Sequence, residues 1–191
     1  MRVFAAIAVD PSDALLGIVD RLDRFGRGLR ATRPDQLHVT LKFFGEIDDS
    51  VMPDLTHGLD QIATRFAAFD WSMGGVGAFP SPRRPSVIWA GIRDDGRLAA
   101  IADEIESLGE KLGFPRERRA FHPHVTLARV RDRPPRELPR LFEEFADEEL
   151  GRQRAVQIVL FRSLLKPQGA VYEPVHVAPF RGPSGRASDR M

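Results

Sequence analysis

Hydrophobic and polar positions follow regular periods over most of the chain. The apolar run over residues 3–9 ends at Asp10-Pro11 and predicts a buried strand, whereas strict alternation over residues 36–44 predicts a strand with one polar face. Apolar side chains at spacings of three and four after residue 50 predict an amphipathic helix. Strands are predicted over residues 2–9, 36–44, 69–79, 86–93, 121–130, 154–165 and 170–178. Helices are predicted from about residue 11 to 26, 50 to 66, 98 to 112 and 135 to 149.

The order of these elements repeats, which predicts an internal duplication. The succession strand, helix, strand, helix, strand, strand starts at residue 2 and again near residue 86. The tetrapeptide His-Val-Thr-Leu stands in the third element of each copy, at 38–41 and 124–127. We therefore expect one α+β domain over residues 1–180 that consists of two related lobes. The polar tail over residues 181–191 is expected to be disordered.

The first tetrapeptide lies on a strand whose two faces differ in chemistry. Because side chains alternate along a strand, His38, Thr40 and Lys42 are predicted to share its polar face. The residues predicted to point into the core are Leu37, Val39, Leu41 and Phe43.

The second tetrapeptide repeats this arrangement. His122, His124 and Thr126 are predicted to share a polar face, while the apolar residues between them point inward. Strict alternation places Arg129 on the inward face, so a strand end or a β-bulge is needed to bring its charge to the histidine.

Two histidines on matched strands suit in-line displacement at phosphorus. One imidazole takes a proton from the attacking oxygen and the other gives a proton to the leaving oxygen, since a reference pKa of about 6.5 allows both forms near neutrality. Threonine hydroxyls on the same face can donate to phosphoryl oxygens. A single His-x-Thr on a strand is more often structural, but a duplication retained for packing alone gives no reason to keep both polar pairs.

Other residues carry weaker functional hypotheses beside structural ones. His122 and His124 could ligate a metal, but the sequence offers no clear third ligand, and support of the second strand is the simpler interpretation of His122. Tyr172 is the only tyrosine, and it either stacks on a base or ribose or is a strand aromatic. The arginines that flank the second motif either form a solvated loop or attract nucleic acid.

Composition narrows the class of protein. The 191 residues include 28 Lys+Arg and 27 Asp+Glu, which argues against a protein that coats polyanions. Only three of the 28 are lysines, and arginine suits phosphate, although a GC-rich coding sequence explains the bias equally well. The absence of cysteine excludes disulfides, thiolate metal sites and a cysteine nucleophile. The sequence contains no predicted membrane span or signal peptide, so we expect a cytoplasmic protein with no membrane association.

The ensemble of motifs resembles the two-histidine phosphoesterase superfamily, and within it the RNA 2′,3′-cyclic phosphodiesterases, also called LigT-like proteins or 2′-5′ RNA ligases. The resemblance rests on the His-x-Thr motifs within residues 37–41 and 121–129, on the first strand at residues 2–7 and on the late segment 164–172. It covers residues 2–178, which is the whole chain except the tail.

This resemblance implies a fold, an activity and roles for particular residues. The expected fold has two antiparallel sheets that face a central cleft, with helices on the outside. The expected reaction is metal-independent and cofactor-free opening of a 2′,3′-cyclic phosphate on RNA or nucleotides by a monomer. His38 is expected to be the proton donor and His124 the proton acceptor. The residues that the resemblance implies as phosphate-binding are Thr40, Thr126 and Arg129. Lys42 is added to the expected binding residues because of its predicted place on the polar face of the first motif strand, and Tyr172 because it could stack on a base or ribose.

Two alternatives remain open at this point. The same site can run the reverse reaction, which joins RNA ends through a 2′-5′ bond, because microscopic reversibility requires one set of residues for both directions. A non-catalytic RNA- or nucleotide-binding module would keep the cleft without turnover, but the intact histidines and threonines of both motifs argue against it.

Overall fold

The computed structural model describes residues 1–166 and 169–182. Within these residues the strands are β1 (Arg2–Ala8), β2 (Leu29–Ala31), β3 (His38–Glu46), β4 (Phe69–Ser81), β5 (Arg84–Arg93), β6 (His124–Val130), β7 (Glu149–Ala155), β8 (Gln157–Lys166) and β9 (Gly169–Pro179). The α-helices are α1 (Asp13–Arg24), α2 (Met52–Ala63), α3 (Arg97–Lys111) and α4 (Leu138–Glu144). Short 3₁₀ turns precede β2, β3 and α2.

The strands form one antiparallel sheet with two halves. The strand order is β7-β4-β5-β6-β3-β1-β8-β9, and β2 pairs with β6. The halves meet where β3 pairs with β6 through Val39 and Val125. The expected α+β fold with antiparallel strands is confirmed, but the two expected sheets are the halves of one curled sheet.

The helices pack on one face of this sheet and cross between its halves. Helix α1, which follows β1, packs on β2, β6 and β7, whereas α3, which follows β5, packs on β3 and α2. The main core lies between helices and sheet, and Val39, Leu41, Val125 and Leu127 are all buried in it. The His38 and His124 side chains therefore lie on the sheet face that the helices do not cover.

The duplication inferred from the sequence is compatible with this strand order. Counted outward from the centre, β3 and β6 are equivalent, and so are β1 and β5. Each half is completed by strands from elsewhere in the chain, β8 and β9 in one and β4 and β7 in the other. The related lobes stay a prediction, but the central strands occupy matched places.

A β-bulge follows the threonine in both central strands. In β3, Thr40 pairs with Ala6 but Lys42 pairs with Ala5, so Leu41 is the extra residue. Past the bulge the alternation is inverted: Lys42 is buried and Phe43 is 51% exposed. The predicted faces of Lys42 and Phe43 are therefore wrong, because a bulge exchanges the two faces of every residue that comes after it.

Several element boundaries differ from those predicted. The proline- and arginine-rich segment 80–85, expected to be a loop, contains the ends of β4 and β5 around a turn at Pro82-Arg83. Strand β2 was not predicted, helix α4 is shorter than expected, and residues 149–166 form two strands. Arg181 is hydrogen-bonded to Phe66, whereas the predicted disorder of residues 183–191 concerns residues outside those described. Within residues 1–166 and 169–182, no helix is long and apolar enough to cross a bilayer.

Lys42 forms a buried ion pair that fixes α3 against β3. Its Nζ donates to Glu106 Oε2 at 2.6 Å and to the Pro115 carbonyl at 3.1 Å. The same carboxylate oxygen accepts from the Glu117 amide at 3.2 Å. A Cβ on Gly109 would lie 2.5 Å from Lys42 Cε, so the glycine provides the space for this side chain. The pair ties the loop before β6 to the first half of the sheet.

We expect the Lys42→Met substitution to lower the free energy of unfolding by about 3–5 kcal/mol, because it leaves the Glu106 carboxylate buried without its cation. Urea denaturation measures the change. The matched control is Glu104→Gln on the same helix, which breaks the exposed ion pair with Arg65 and should cost less than about 1 kcal/mol. A Lys42→Met protein as stable as the control variant would contradict this role of the pair.

Candidate active site

Each motif histidine is the first residue of its strand, and its ring is fixed by the same backbone contact. His38 Nδ1 lies 2.7 Å from the Gln36 carbonyl, and His124 Nδ1 lies 2.7 Å from the His122 carbonyl. A carbonyl oxygen only accepts, so Nδ1 carries the proton in both rings. Nε2 is consequently the nitrogen that takes up or gives away a proton in each histidine.

The register between β3 and β6 brings the two motifs together. Val39 pairs with Val125 in an antiparallel sense, which sets His38 opposite Thr126 and Thr40 opposite His124. The two histidines are then diagonal neighbours, and such Cβ atoms lie about 7–8 Å apart in a regular sheet. All four side chains are half-buried on the same face. Two imidazoles, which can exchange protons, and two hydroxyls, which can donate hydrogen bonds, therefore lie next to one another on this face.

The bulge in β6 brings Arg129 onto this face. Thr126 pairs with Trp89 and Ala128 with Ile88, so Leu127 is the extra residue, at the same place in the motif as Leu41 in β3. Past the bulge Ala128 is buried and Arg129 is exposed. Arg129 therefore lies on the histidine face, which alternation alone did not allow.

Aromatic side chains surround the His38 ring on the first half of the sheet. Its centroid lies 4.9 Å from that of Phe4, 6.2 Å from Phe161 and 5.2 Å from Tyr172, whose ring stands at 90° to the imidazole. Burial in this apolar setting lowers the pKa of His38 below its ordinary value of 6.5, because the cation loses hydration. The positive charges of His124 and Arg129 lower the same pKa further, whereas the hydrogen bond to the Gln36 carbonyl opposes the shift.

His124 has a comparable environment on the second half. Its ring meets the edge of Phe79 at 5.0 Å and 83°. Burial is the largest cause of a lowered pKa at His124, and the charge of Arg129 adds to it, while the bond to the His122 carbonyl opposes it. Both imidazoles are thus biased toward the neutral form in the absence of an anion.

Gln36 connects the turn before His38 to strand β9. Its carbonyl holds His38, and its side-chain amide donates to the Ala170 carbonyl at 3.1 Å and accepts from the Tyr172 amide at 3.2 Å. The residue that positions the imidazole therefore also positions the strand that carries Tyr172. A pocket of about 200 Å³ beside His38 is lined in part by Gln36, Phe161 and Tyr172.

The remaining polar groups near the site offer little to a metal. The His122 side chain is exposed, and it is the carbonyl of this residue that contacts His124. Among the residues that the structure describes, no three His, Asp or Glu side chains are grouped so that they could hold an ion. A larger open depression of about 430 Å³, lined by Asp70, Arg93 and Arg152 among others, contains none of the motif residues.

The structure brings most of the predicted site residues together, with one exception. Lys42, predicted to contact phosphate, is buried on the opposite face in its ion pair with Glu106, because of the bulge at Leu41. The predicted residues that share the histidine face are His38, Thr40, His124, Thr126, Arg129 and Tyr172.

Sequence reasoning missed several residues of the site. Phe4 and Phe79 lie in stretches whose residues are apolar on both faces, so alternation gave no signal for them. The role of Gln36 depends on its carbonyl, which no side-chain pattern reports. One regularity links the two sites: each histidine contacts the carbonyl of the residue two positions before it, Gln36 for His38 and His122 for His124.

Comparison with known proteins shows the family to which this chain belongs. Residues 11–163 match the model of the 2′-5′ RNA ligase superfamily. The chain is 32% identical over 179 residues to an RNA 2′,3′-cyclic phosphodiesterase of Archaeoglobus fulgidus, covering 93% of this chain and 99% of that protein. It is 36% identical over 161 residues to the protein of the same name from Aeropyrum pernix, covering 82% and 89% of the two chains.

Solved structures share the fold. A crystal structure of a Thermus thermophilus protein, 29% identical, superimposes with a TM-score of 0.80 and covers 95% of this chain and 99% of that one. The apo structure of Escherichia coli LigT, 23% identical, gives a TM-score of 0.71 over 94% and 96% of the two chains, and supports the fold alone. With both motifs in place and the family model matching over most of its length, the chain belongs to the 2′-5′ RNA ligase superfamily.

Proposed function

We propose that this protein is an RNA 2′,3′-cyclic phosphodiesterase that opens the cyclic phosphate of RNA ends or nucleotides to a 2′-phosphate without a metal ion or cofactor. The observation that carries the proposal is a pair of imidazoles, each opposite a threonine on one sheet face, whose Nε2 atoms make no hydrogen bond to the residues that the structure describes. The activity named for the relatives from Archaeoglobus fulgidus and Aeropyrum pernix supports the same reaction. The expected cytoplasmic location and monomeric state stay predictions.

In the proposed mechanism, His124 accepts a proton from water through Nε2 as the water oxygen forms a bond to phosphorus. The bond between phosphorus and O3′ breaks on the opposite side, and protonated His38 gives its proton to O3′. Thr40, Thr126 and Arg129 stabilise the charge that builds on the non-bridging oxygens in the transition state. Exchange of protons with solvent returns both histidines to their starting states.

The choice of leaving oxygen links hydrolysis to the alternative reaction. Departure of O3′ leaves the phosphate on O2′, so attack by water gives a 2′-phosphate. Attack by the 5′-hydroxyl of a second RNA in the position of water gives a 2′-5′ phosphodiester with the same two proton transfers. Hydrolysis is favoured here because water is abundant, and the relatives from Archaeoglobus fulgidus and Aeropyrum pernix carry the name of the hydrolytic activity.

The first test is incubation of the protein with 2′,3′-cyclic AMP in buffer that contains EDTA. We expect turnover, and we expect His38→Ala and His124→Ala each to lower kcat by about 10²–10⁴-fold, the worth of a positioned acid or base. His57→Ala is the matched control, because His57 is exposed on α2 and lies away from the site. Near-normal turnover in a folded His38 or His124 variant would refute the mechanism for that residue, and binding without turnover would indicate the non-catalytic module.

We expect kcat/KM to be bell-shaped in pH with its maximum below pH 6.5, because one imidazole must be protonated and both pKa values of the free enzyme are lowered. The two apparent values belong to the coupled pair. Arg129→Gln removes a positive charge that lowers both pKa values, so both limbs should move to higher pH. The profile of kcat should lie at higher pH than that of kcat/KM, because bound phosphate stabilises the imidazolium.

The control for the pH profile is Arg65→Gln, which removes an arginine paired with Glu104 away from the site. Its profile should match that of the unmodified protein. A pH profile that Arg129→Gln leaves unchanged would contradict the effect of its charge on the two histidines.

We expect one phosphate isomer to dominate the product, because a single fixed acid protonates one leaving oxygen. Phosphorus NMR of the product from 2′,3′-cyclic AMP should show the 2′-phosphate. An equal mixture of isomers would contradict the fixed acid, whereas pure 3′-phosphate would retain the geometry and reverse the assignment of the leaving group.

A further inference from the structure

The two halves of the site differ in the aromatic surface that they present. Trp89 pairs in register with Thr126, and Gly91, two positions later, pairs with His124. The matched position in the other half is Ala6, which pairs with Thr40. A large indole therefore lies beside the motif of the second half, where the first half has a methyl group.

The Trp89 ring lies flat over the neighbouring strand β4. A Cβ on Gly77, its partner in β4, would lie 2.3 Å from Cη2, 2.4 Å from Cζ2 and 2.9 Å from Cζ3 of the indole. The six-membered ring thus covers the glycine, and no other residue type leaves room for it. Phe79 packs against Trp89 at 5.3 Å and against His124 at 5.0 Å, which fixes the indole relative to the imidazole.

The Trp89 side chain is partly exposed on the sheet face that carries the motif histidines. Trp89 is only partly buried and lies outside the main core cluster, on the same sheet face as Thr126. Its Nε1 is buried and makes no hydrogen bond within the described residues, so the exposed part of the side chain is carbon of the aromatic ring. A fixed aromatic face beside a phosphate site is suited to stacking on a nucleobase.

We propose that Trp89 binds the base of the nucleoside that supplies the nucleophile in the reverse reaction, or the leaving group in the cleavage of a 2′-5′ bond. This inference rests on the proposed function. His38 protonates O3′ of the cyclic nucleotide's own ribose, so that nucleoside lies toward the first half of the sheet. His124 serves the oxygen on the opposite side of phosphorus. In hydrolysis this oxygen is water, and in ligation it is the 5′-oxygen of the second nucleoside, beside Trp89.

In ligation, Trp89 positions the nucleoside that carries the attacking 5′-hydroxyl. The 5′-hydroxyl proton goes to His124 as O5′ forms a bond to phosphorus, while the bond to O3′ breaks and O3′ takes the proton of His38. The indole contacts the base of the incoming nucleoside and none of the reacting atoms, so it is a specificity-determining residue. Water needs no such surface.

Two activities of the same protein test the proposal. The first is hydrolysis of 2′,3′-cyclic AMP, and the second is cleavage of 2′-5′-linked diadenosine monophosphate to 2′,3′-cyclic AMP and adenosine. We expect Trp89→Leu to raise KM for the dinucleotide about 10-fold or more, and to lower the ratio of the dinucleotide kcat/KM to the cyclic AMP kcat/KM by a similar factor. Trp89→Phe should restore most of the ratio, because it keeps an aromatic face. An equal loss in both activities would overturn the assignment to the second nucleoside.

A binding measurement makes the test independent of turnover. The chain has two tryptophans, and Trp71 is 4% exposed in the core. Trp71→Phe therefore leaves Trp89 as the single tryptophan, which can be excited selectively, and serves as the matched control with an unchanged ratio of activities. Titration of this variant with 2′-5′-linked diadenosine monophosphate should quench its fluorescence. An unquenched signal at saturating dinucleotide would overturn the proposal, whereas quenching without hydrolysis of cyclic AMP would instead refute the proposed function.

Discussion

The pairing of Val39 with Val125 is the constraint on which the site depends. It is the contact through which β3 joins β6, and it converts two half-sheets into one surface. An antiparallel register is symmetric about its central pair, so each histidine is placed opposite the threonine of the other strand. A shift by one residue would turn one motif toward the helices and leave a single imidazole on the open face. The buried valines therefore set the distance between the two motif histidines and the face on which both lie.

The periodicity of the chain predicted most strands, all four helices and the facing of both His-x-Thr pairs, because those features result from alternation. It could not predict the facing of the residues after Leu41 and Leu127, where a bulge adds one residue. After Leu41 and Leu127, the next residue is buried and the residue after that is exposed, whereas strict alternation predicts the opposite. The predicted face of Lys42 is therefore wrong. Arg129 lies on the histidine face because β6 contains the bulge that the sequence analysis named as necessary.

The aromatic surroundings of the histidines were hidden from sequence reasoning for a different reason. Strand β1 is apolar at nearly every position, so its two faces have the same composition although one packs under helices and the other packs around His38. Phe4 is fully buried without belonging to the main core. Burial lowers the pKa of His38, and Phe4, one of the rings around this imidazole, comes from a strand that lacks a polar signal. The topology of the sheet reveals which side chain Phe4 contacts.

A site with exact twofold symmetry would treat the two apical oxygens at phosphorus alike and would have no preferred direction. The backbone here is close to that limit, with matched histidines, matched carbonyl contacts and matched bulges. A preference for one apical oxygen as the nucleophile and the other as the leaving group must come from the residues that differ at equivalent positions. Past the bulge, β3 presents Phe43 and β6 presents Arg129, and beside the threonine β1 presents Ala6 and β5 presents Trp89. Under the proposed function, the residues that differ at matched positions of the two halves distinguish the end that holds the cyclic nucleoside from the end that receives the nucleophile.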